Sequence, residues 1–216
     1  MNHRIALIHA LAHSVAPINE ALQRQWPDAS RMNLLDDSLS ADLARSATGL
    51  DAAMTGRFLA LADYAVGTGA HALLFTCSAF GPCIEAVAQR YPDLPVLKPN
   101  EATIRDAVRA RKPVGLVASF APTLQSMPAE FPAGVLMGFE MAEGAMEALN
   151  AGDLAAHDAA VAAAAFRLKN RGAAVVALAQ FSMARAGDEV ARLTGLPVLT
   201  TPGSAIVELR RRLGGT

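Results

Sequence analysis

Three features of the sequence predict an α/β fold of two pseudo-symmetric lobes, each a parallel sheet flanked by helices. Short apolar runs at residues 5–8, 72–75, 114–117, 174–178 and 197–199 alternate with longer, alanine-rich stretches of helical length. That alternation is the signature of βαβ units. The runs are continuous rather than alternating, as strands buried on both faces require. The third feature is an internal repeat. Arg4-Ile5-Ala6-Leu7-Ile8-His9-Ala10 lies on Pro113-Val114-Gly115-Leu116-Val117-Ala118-Ser119, and Leu94-Pro95-Val96-Leu97 recurs as Leu196-Pro197-Val198-Leu199. Repetition of a whole supersecondary pattern implies two like halves.

Taken in order, the first element follows Arg4. His9 and His13 interrupt its apolar run and no small-residue cleavage site follows, so it reads as a strand rather than a signal peptide. Asp36-Asp37 read as a turn and helix cap. The run before Thr76 is the next strand, and Gly81-Pro82 opens a helix reaching about Arg90, because proline suits a first helical turn. The charged Arg109-Ala110-Arg111-Lys112 marks the boundary, giving a first lobe at 1–110, a second at 111–203 and a C-terminal helix at 204–216 that packs back on the first. Residues 142–168 are almost all alanine, small residues and scattered charge, and read as helical scaffold. Ligands of open α/β sheets collect beyond the carboxyl ends of the strands, so Thr76-Cys77-Ser78 and Gln180-Phe181-Ser182 are expected to wall an active-site cleft between the lobes.

Composition excludes several classes. With 216 residues, 52% of them hydrophobic and 18% charged, the chain can bury a large core. A net charge of -1 supplies no drive toward phosphate backbones or anionic lipid, so neither nucleic acid nor a membrane is an expected partner. No apolar stretch is long enough to span a bilayer. The two cysteines, Cys77 and Cys83, match neither a disulfide framework nor a zinc spacing, which points to free thiols and a cytoplasmic protein. No His, Cys or carboxylate cluster has metal-ligand spacing, and no glycine pattern cradles a nucleotide.

The chemistry therefore falls to side chains at strand ends. Cys77 stands between a strand and a helix N-terminus, where backbone amides and the helix dipole favour thiolate. Cys83, inside the following helix, reads as packing. His9 ends the first strand and is a candidate second acid or base. His13, His71 and His157 are weaker candidates, and Lys98 reads as a surface lysine.

The segment Leu74-Phe75-Thr76-Cys77-Ser78-Ala79-Phe80-Gly81-Pro82 resembles the first active-site cysteine motif of the cofactor-independent aspartate/glutamate/hydantoin racemase superfamily, and the two-half plan extends the likeness along nearly the whole chain. The resemblance implies two thiols, one from each half, that take and return a proton beside a substrate carboxylate without metal or pyridoxal phosphate. It also implies a small carboxylate as substrate and is compatible with a homodimer. Ser78 and the turn Ser119-Phe120-Ala121-Pro122-Thr123 resemble the family's anion-binding residues.

The second motif departs from the pattern. Leu178-Ala179-Gln180-Phe181-Ser182-Met183-Ala184 puts Gln180 where the family's second cysteine belongs. A glutamine amide does not exchange protons near neutral pH, but Gln180 and Ser182 can donate hydrogen bonds to a carboxylate or an enediolate. Arylmalonate decarboxylases, a branch of this superfamily, manage with one cysteine, although theirs resembles the second-half one. The expected site is thus Cys77 as the catalytic group with His9, Thr76, Ser78, Ser119, Phe120, Gln180 and Ser182 as substrate-binding residues. Three activities follow: a racemase or isomerase, a decarboxylase that protonates one face, and a carboxylate-binding protein that has lost the chemistry.

Overall fold

A computed structural model describes residues 3–214. In chain order it begins with β1 (Arg4–His9), α1 (Val15–Gln25), β2 (Ser30–Leu35), α2 (Ser38–Arg45), α3 (Ala52–Gly67), β3 (Ala72–Phe75), α4 (Gly81–Arg90) and β4 (Val96–Leu97). It continues with α5 (Glu101–Arg109), β5 (Val114–Ala118), α6 (Ala121–Ser126), β6 (Met137–Met141), α7 (Ala145–Asn150), α8 (Leu154–Asn170), β7 (Val175–Leu178), α9 (Gly187–Thr194), β8 (Val198–Thr200) and α10 (Thr201–Arg212). The chain forms two compact units that divide between Pro99 and Asn100. The division falls ahead of the charged run at 109–112, because α5 packs on β7 and β8.

In the first unit the strands lie in the order β2-β1-β3-β4, all parallel, with Ile8 opposite Phe75. β1 and β3 are the central pair, and every apolar residue in them is buried. One face carries a core in which Phe58 of α3 lies 5.4 Å from the Phe75 ring and 4.9 Å from the Phe80 ring. From Ala205 onward, α10 belongs to this unit. Its Arg210 guanidinium sits over the Trp26 ring and reaches the Gln25 carbonyl at the end of α1.

The second unit repeats the plan as β6-β5-β7-β8, again parallel, with Val117 opposite Leu178. Its central strands pack against α8 on one side and α5 on the other. Gly115 and Gly138 are paired across β5 and β6. A Cβ on Gly115 would stand 3.0 Å from Ala173 Cβ and 3.1 Å from Leu168 Cβ, so the glycine lets α8 close on the sheet.

The strands β2 and β6 are absent from the sequence reading, which took the chain between the central strands as helical and turn. Both are edge strands with a half-exposed pattern, SRMNLL and MGFEM, that lacks a buried strand's apolar run. The alanine-rich scaffold forms two helices, α7 and α8. Gly152, at φ +77°, breaks it, and Asp153 recaps α8 by accepting the Ala156 N–H at 3.0 Å. The cap before α2 is also refined: Asp36, not Asp37, accepts from Ser38 N at 3.2 Å and Ser38 Oγ at 2.6 Å.

Candidate functional site

The sheet register brings the expected residues together within each unit. In the first, parallel pairing of β1 with β3 runs to Ile8 and Phe75, and just beyond it His9 meets Thr76 through their side chains, with Ala10 and Cys77 next in sequence. His9 is fully buried. Its Nδ1 lies 2.9 Å from Thr76 Oγ1 and its Nε2 lies 3.0 Å from Asn33 Oδ1 on β2. Asn33 Oδ1 also accepts from Asn19 Nδ2 at 2.8 Å, which identifies it as the acceptor and His9 Nε2 as the donor. Thr76 then donates to Nδ1. Burial pushes the imidazole below its ordinary pKa, with the Asn33 bond opposing, so the ring is neutral near pH 7. Both of its nitrogens are committed to holding three strands in line.

Cys77 follows at the strand end, partly exposed, and packs against the core beside Ile8, His9, Ala10, Leu39, Phe58 and Phe75, which leave no space among them for a water molecule. A single 3-10 turn, Ser78–Phe80, carries the chain from there into α4. The helix terminus does not lower the thiol's pKa overall, as the sequence led us to expect. Burial pushes it up, and hydrogen bonds from the Ala79 backbone and Ser40 offset only part of that. Cys77 therefore rests as a thiol at neutral pH. Cys83 is wholly buried in the same apolar cluster, 3.5 Å from Thr55 Oγ1, as a packing residue should be.

In the second unit the equivalent strand ends carry Ser119 and Gln180. Gln180 Oε1 accepts from the Ser119 backbone N–H at 2.7 Å and lies 3.4 Å from its hydroxyl. Phe120, partly exposed, opens α6, while Phe181 and Ser182 are buried in the 3-10 turn after β7. Lys98 pairs with Glu85, and His157 is buried on α8 with Nδ1 2.8 Å from Asp158. Among the described residues no group of three His, Cys, Asp or Glu side chains could hold a metal, and no helix is long and apolar enough to cross a membrane.

The sequence reading missed Ser40, Asn33 and Asn19. Each is a small polar residue whose partner is distant in sequence, so spacing carries no sign of it.

Two parallel four-stranded α/β units flanked by helices are the architecture of the racemase fold. The chain belongs to the Asp/Glu/hydantoin racemase family, whose sequence model matches residues 10–209. No curated protein matches it by sequence. Solved structures agree on the fold. Glutamate racemase RacE1 from Bacillus anthracis superimposes with a TM-score of 0.74 at 14% identity, covering 98% of this chain and 82% of that one. Allantoin racemase from Klebsiella pneumoniae gives 0.70 at 16% identity, covering 100% and 90%. Unliganded arylmalonate decarboxylase gives 0.66 at 17% identity, covering 99% and 94%.

Proposed function

We propose that this chain is a cofactor-independent enzyme that transfers a proton at the carbon next to a carboxylate, with Cys77 as the group that gives or takes it. The observation that carries this reading is the position of Cys77: a partly exposed residue just beyond a central strand, at the turn that leads into α4. A proton acid that must protonate a carbanion needs to hold its proton at working pH, and burial of this thiol has that effect. Ser78 in the first unit, and Ser119, Phe120, Gln180 and Ser182 in the second, are each proposed as substrate-binding residues, with His9 and Thr76 holding the strand ends of the first unit in place. Family membership favours a racemase or isomerase acting on a small carboxylate.

One observation favours a second reading, a decarboxylase that protonates a single face. The position equivalent to Cys77 in the second unit is Gln180, which cannot return a proton and whose carbonyl already accepts from Ser119. Loss of carbon dioxide generates the enediolate without a base, and one thiol then suffices. The test is α-carbon deuterium exchange by mass spectrometry on amino acids, hydantoins and aryl-substituted acids in D2O, with malonates screened for carbon dioxide release, for the parent and Cys77→Ala. Cys77-dependent exchange with loss of optical activity identifies a racemase; carbon dioxide release with one-sided deuteration identifies a decarboxylase. A panel on which both proteins are inert, while a carboxylate still binds, would leave a binding protein and end the enzymatic reading.

A further inference from the structure

In the second unit the chain passes from α5 into β5 through Arg111-Lys112-Pro113, at the amino end of the sheet, and this turn borders a cavity of about 270 Å³. Ligand pockets run from roughly 300 to 1,000 Å³, so the space suits a small metabolite. Val108 and Val135, which also pack on the core of the unit, line it together with Pro113 and Leu136. The Leu136 carbonyl accepts the Val114 N–H at 2.9 Å, which ties the two sides of the cavity together. Leu136 itself is 71% exposed, more than any other large hydrophobic residue among those described.

Two properties of the turn point to an anion. Arg109, Arg111 and Lys112 place three positive charges within four residues, and among the described residues none of them forms an ion pair or a side-chain hydrogen bond. Asp106, the nearest carboxyl in sequence, pairs with none of them. The carboxyl end of a helix carries only about half a negative charge, which leaves most of theirs unanswered. Arg111 is also the only described residue other than glycine at positive φ, +51°. It is the second residue beyond α5, a place held by Gly69, Gly152 and Gly172 beyond α3, α7 and α8. A Cβ is disfavoured in that conformation, so the turn by itself calls for glycine and the arginine is accounted for by its side chain.

We propose that this cavity binds a small phosphate monoester with an apolar body: Arg111 and Lys112 take the phosphate, while Val108, Val135 and Leu136 cover the apolar part. A guanidinium pairs with two phosphate oxygens at once, and a doubly charged head answers more of the cluster's charge than a carboxylate would. The length of β5 sets the cavity about 16 Å from Ser119, at the opposite end of the sheet from the candidate catalytic strand ends. The inference owes nothing to the reading of Cys77, and either can fail without the other.

The experiment is a titration of the full chain with phenyl phosphate, followed by two-dimensional amide NMR, with inorganic phosphate, benzyl alcohol and benzoate as separate arms. Saturable shifts are expected at the amides of Arg111, Lys112, Val135 and Leu136. Inorganic phosphate and benzyl alcohol, which each lack one half of the ligand, should bind there at least about tenfold more weakly, and the double variant Arg111→Gly, Lys112→Gln should weaken phenyl phosphate by a similar factor. Glycine suits the φ of Arg111 and both residues are exposed, so folding of the variant is not at stake. Leu136→Ser should weaken phenyl phosphate and leave inorganic phosphate unchanged. No saturable shift at these amides with millimolar phenyl phosphate, or the same affinity in the double variant, overturns the inference. Inorganic phosphate binding as tightly would reduce the cavity to an adventitious ion site, and benzoate binding as tightly would remove the case for a phosphate; either result also overturns it.

Discussion

The two units place different chemistry on the same scaffold point. Register sets Ala10 and Cys77 beyond the Ile8–Phe75 pair, and it sets Ser119 and Gln180 beyond the Val117–Leu178 pair. In the first unit the backbone contributes a carbonyl, which accepts the Ser40 hydrogen. In the second the backbone contributes an N–H, and the Gln180 amide consumes it through its carbonyl. One tip retains a transferable proton; the other is satisfied internally. A duplicated fold thus fixes where two side chains stand and leaves open what each can do.

The sharpest way to break this comparison is to remove each side chain in turn. Cys77→Ala is expected to cut α-proton transfer at least about a hundredfold, the lower end of what a general acid contributes. Gln180→Ala, which removes a positioning amide and no proton, should cost less than about tenfold in kcat/KM. Equal losses would mean that the two tips share the proton chemistry after all.

Exchanging core residues between the units comes next. Ala6 in β1 and Gly115 in β5 occupy equivalent repeat positions, and only the second is crowded by Leu168 and Ala173. Gly115→Ala should destabilise the protein by about 1–3 kcal/mol through overpacking, read as a lower urea midpoint at unchanged slope. An unchanged midpoint would show that α8 can withdraw from the sheet without cost.

The His9 network sharpens the contrast in another way. Its folded-state pKa is depressed, so the unfolded chain binds more protons below the ordinary histidine value of about 6.5. The stability that neutral His9 contributes is present above that pH and is lost as pH falls through the lowered folded value. The parent's urea midpoint should therefore drop as pH falls below about 6.5, and His9→Gln, about 1 kcal/mol less stable at pH 7.5 for its lost hydrogen bonds, should show a shallower drop. A parallel decline in both proteins would place the acid sensitivity elsewhere.

How much of this was legible in the sequence depends on what each residue's partner is. Central strands are buried on both faces, so β1, β3, β5 and β7 announce themselves as apolar runs. Edge strands such as β2 and β6 do not, since none of their residues is fully buried. Cys77 and Gln180 were readable because a motif and a repeat fix their places. The state of Cys77 was not. A helix terminus is visible in sequence, whereas the apolar wall of Leu39, Phe58 and Phe75 that outweighs it comes from three separate segments. Ser40 was hidden for the same reason, being joined to Ala10 across thirty residues.

The smallest effect tests whether the units also differ in local helix strength. Gly56 lies inside α3, exposed, and a Cβ there would meet nothing within 4 Å. It takes ordinary helical dihedrals, so alanine gives up no conformation the fold needs and narrows the unfolded ensemble. Gly56→Ala should raise stability by about 0.5–1 kcal/mol, measured as a higher urea midpoint, with α-proton transfer unchanged. The same glycine-to-alanine change is thus expected to act with opposite sign at Gly56 and Gly115, because space rather than propensity decides it. Were Gly56→Ala to destabilise the chain, α3 would have to be packed more tightly at that position than its open surroundings allow, and the core that Phe58 shares with Cys77 would be the first place to look for the strain.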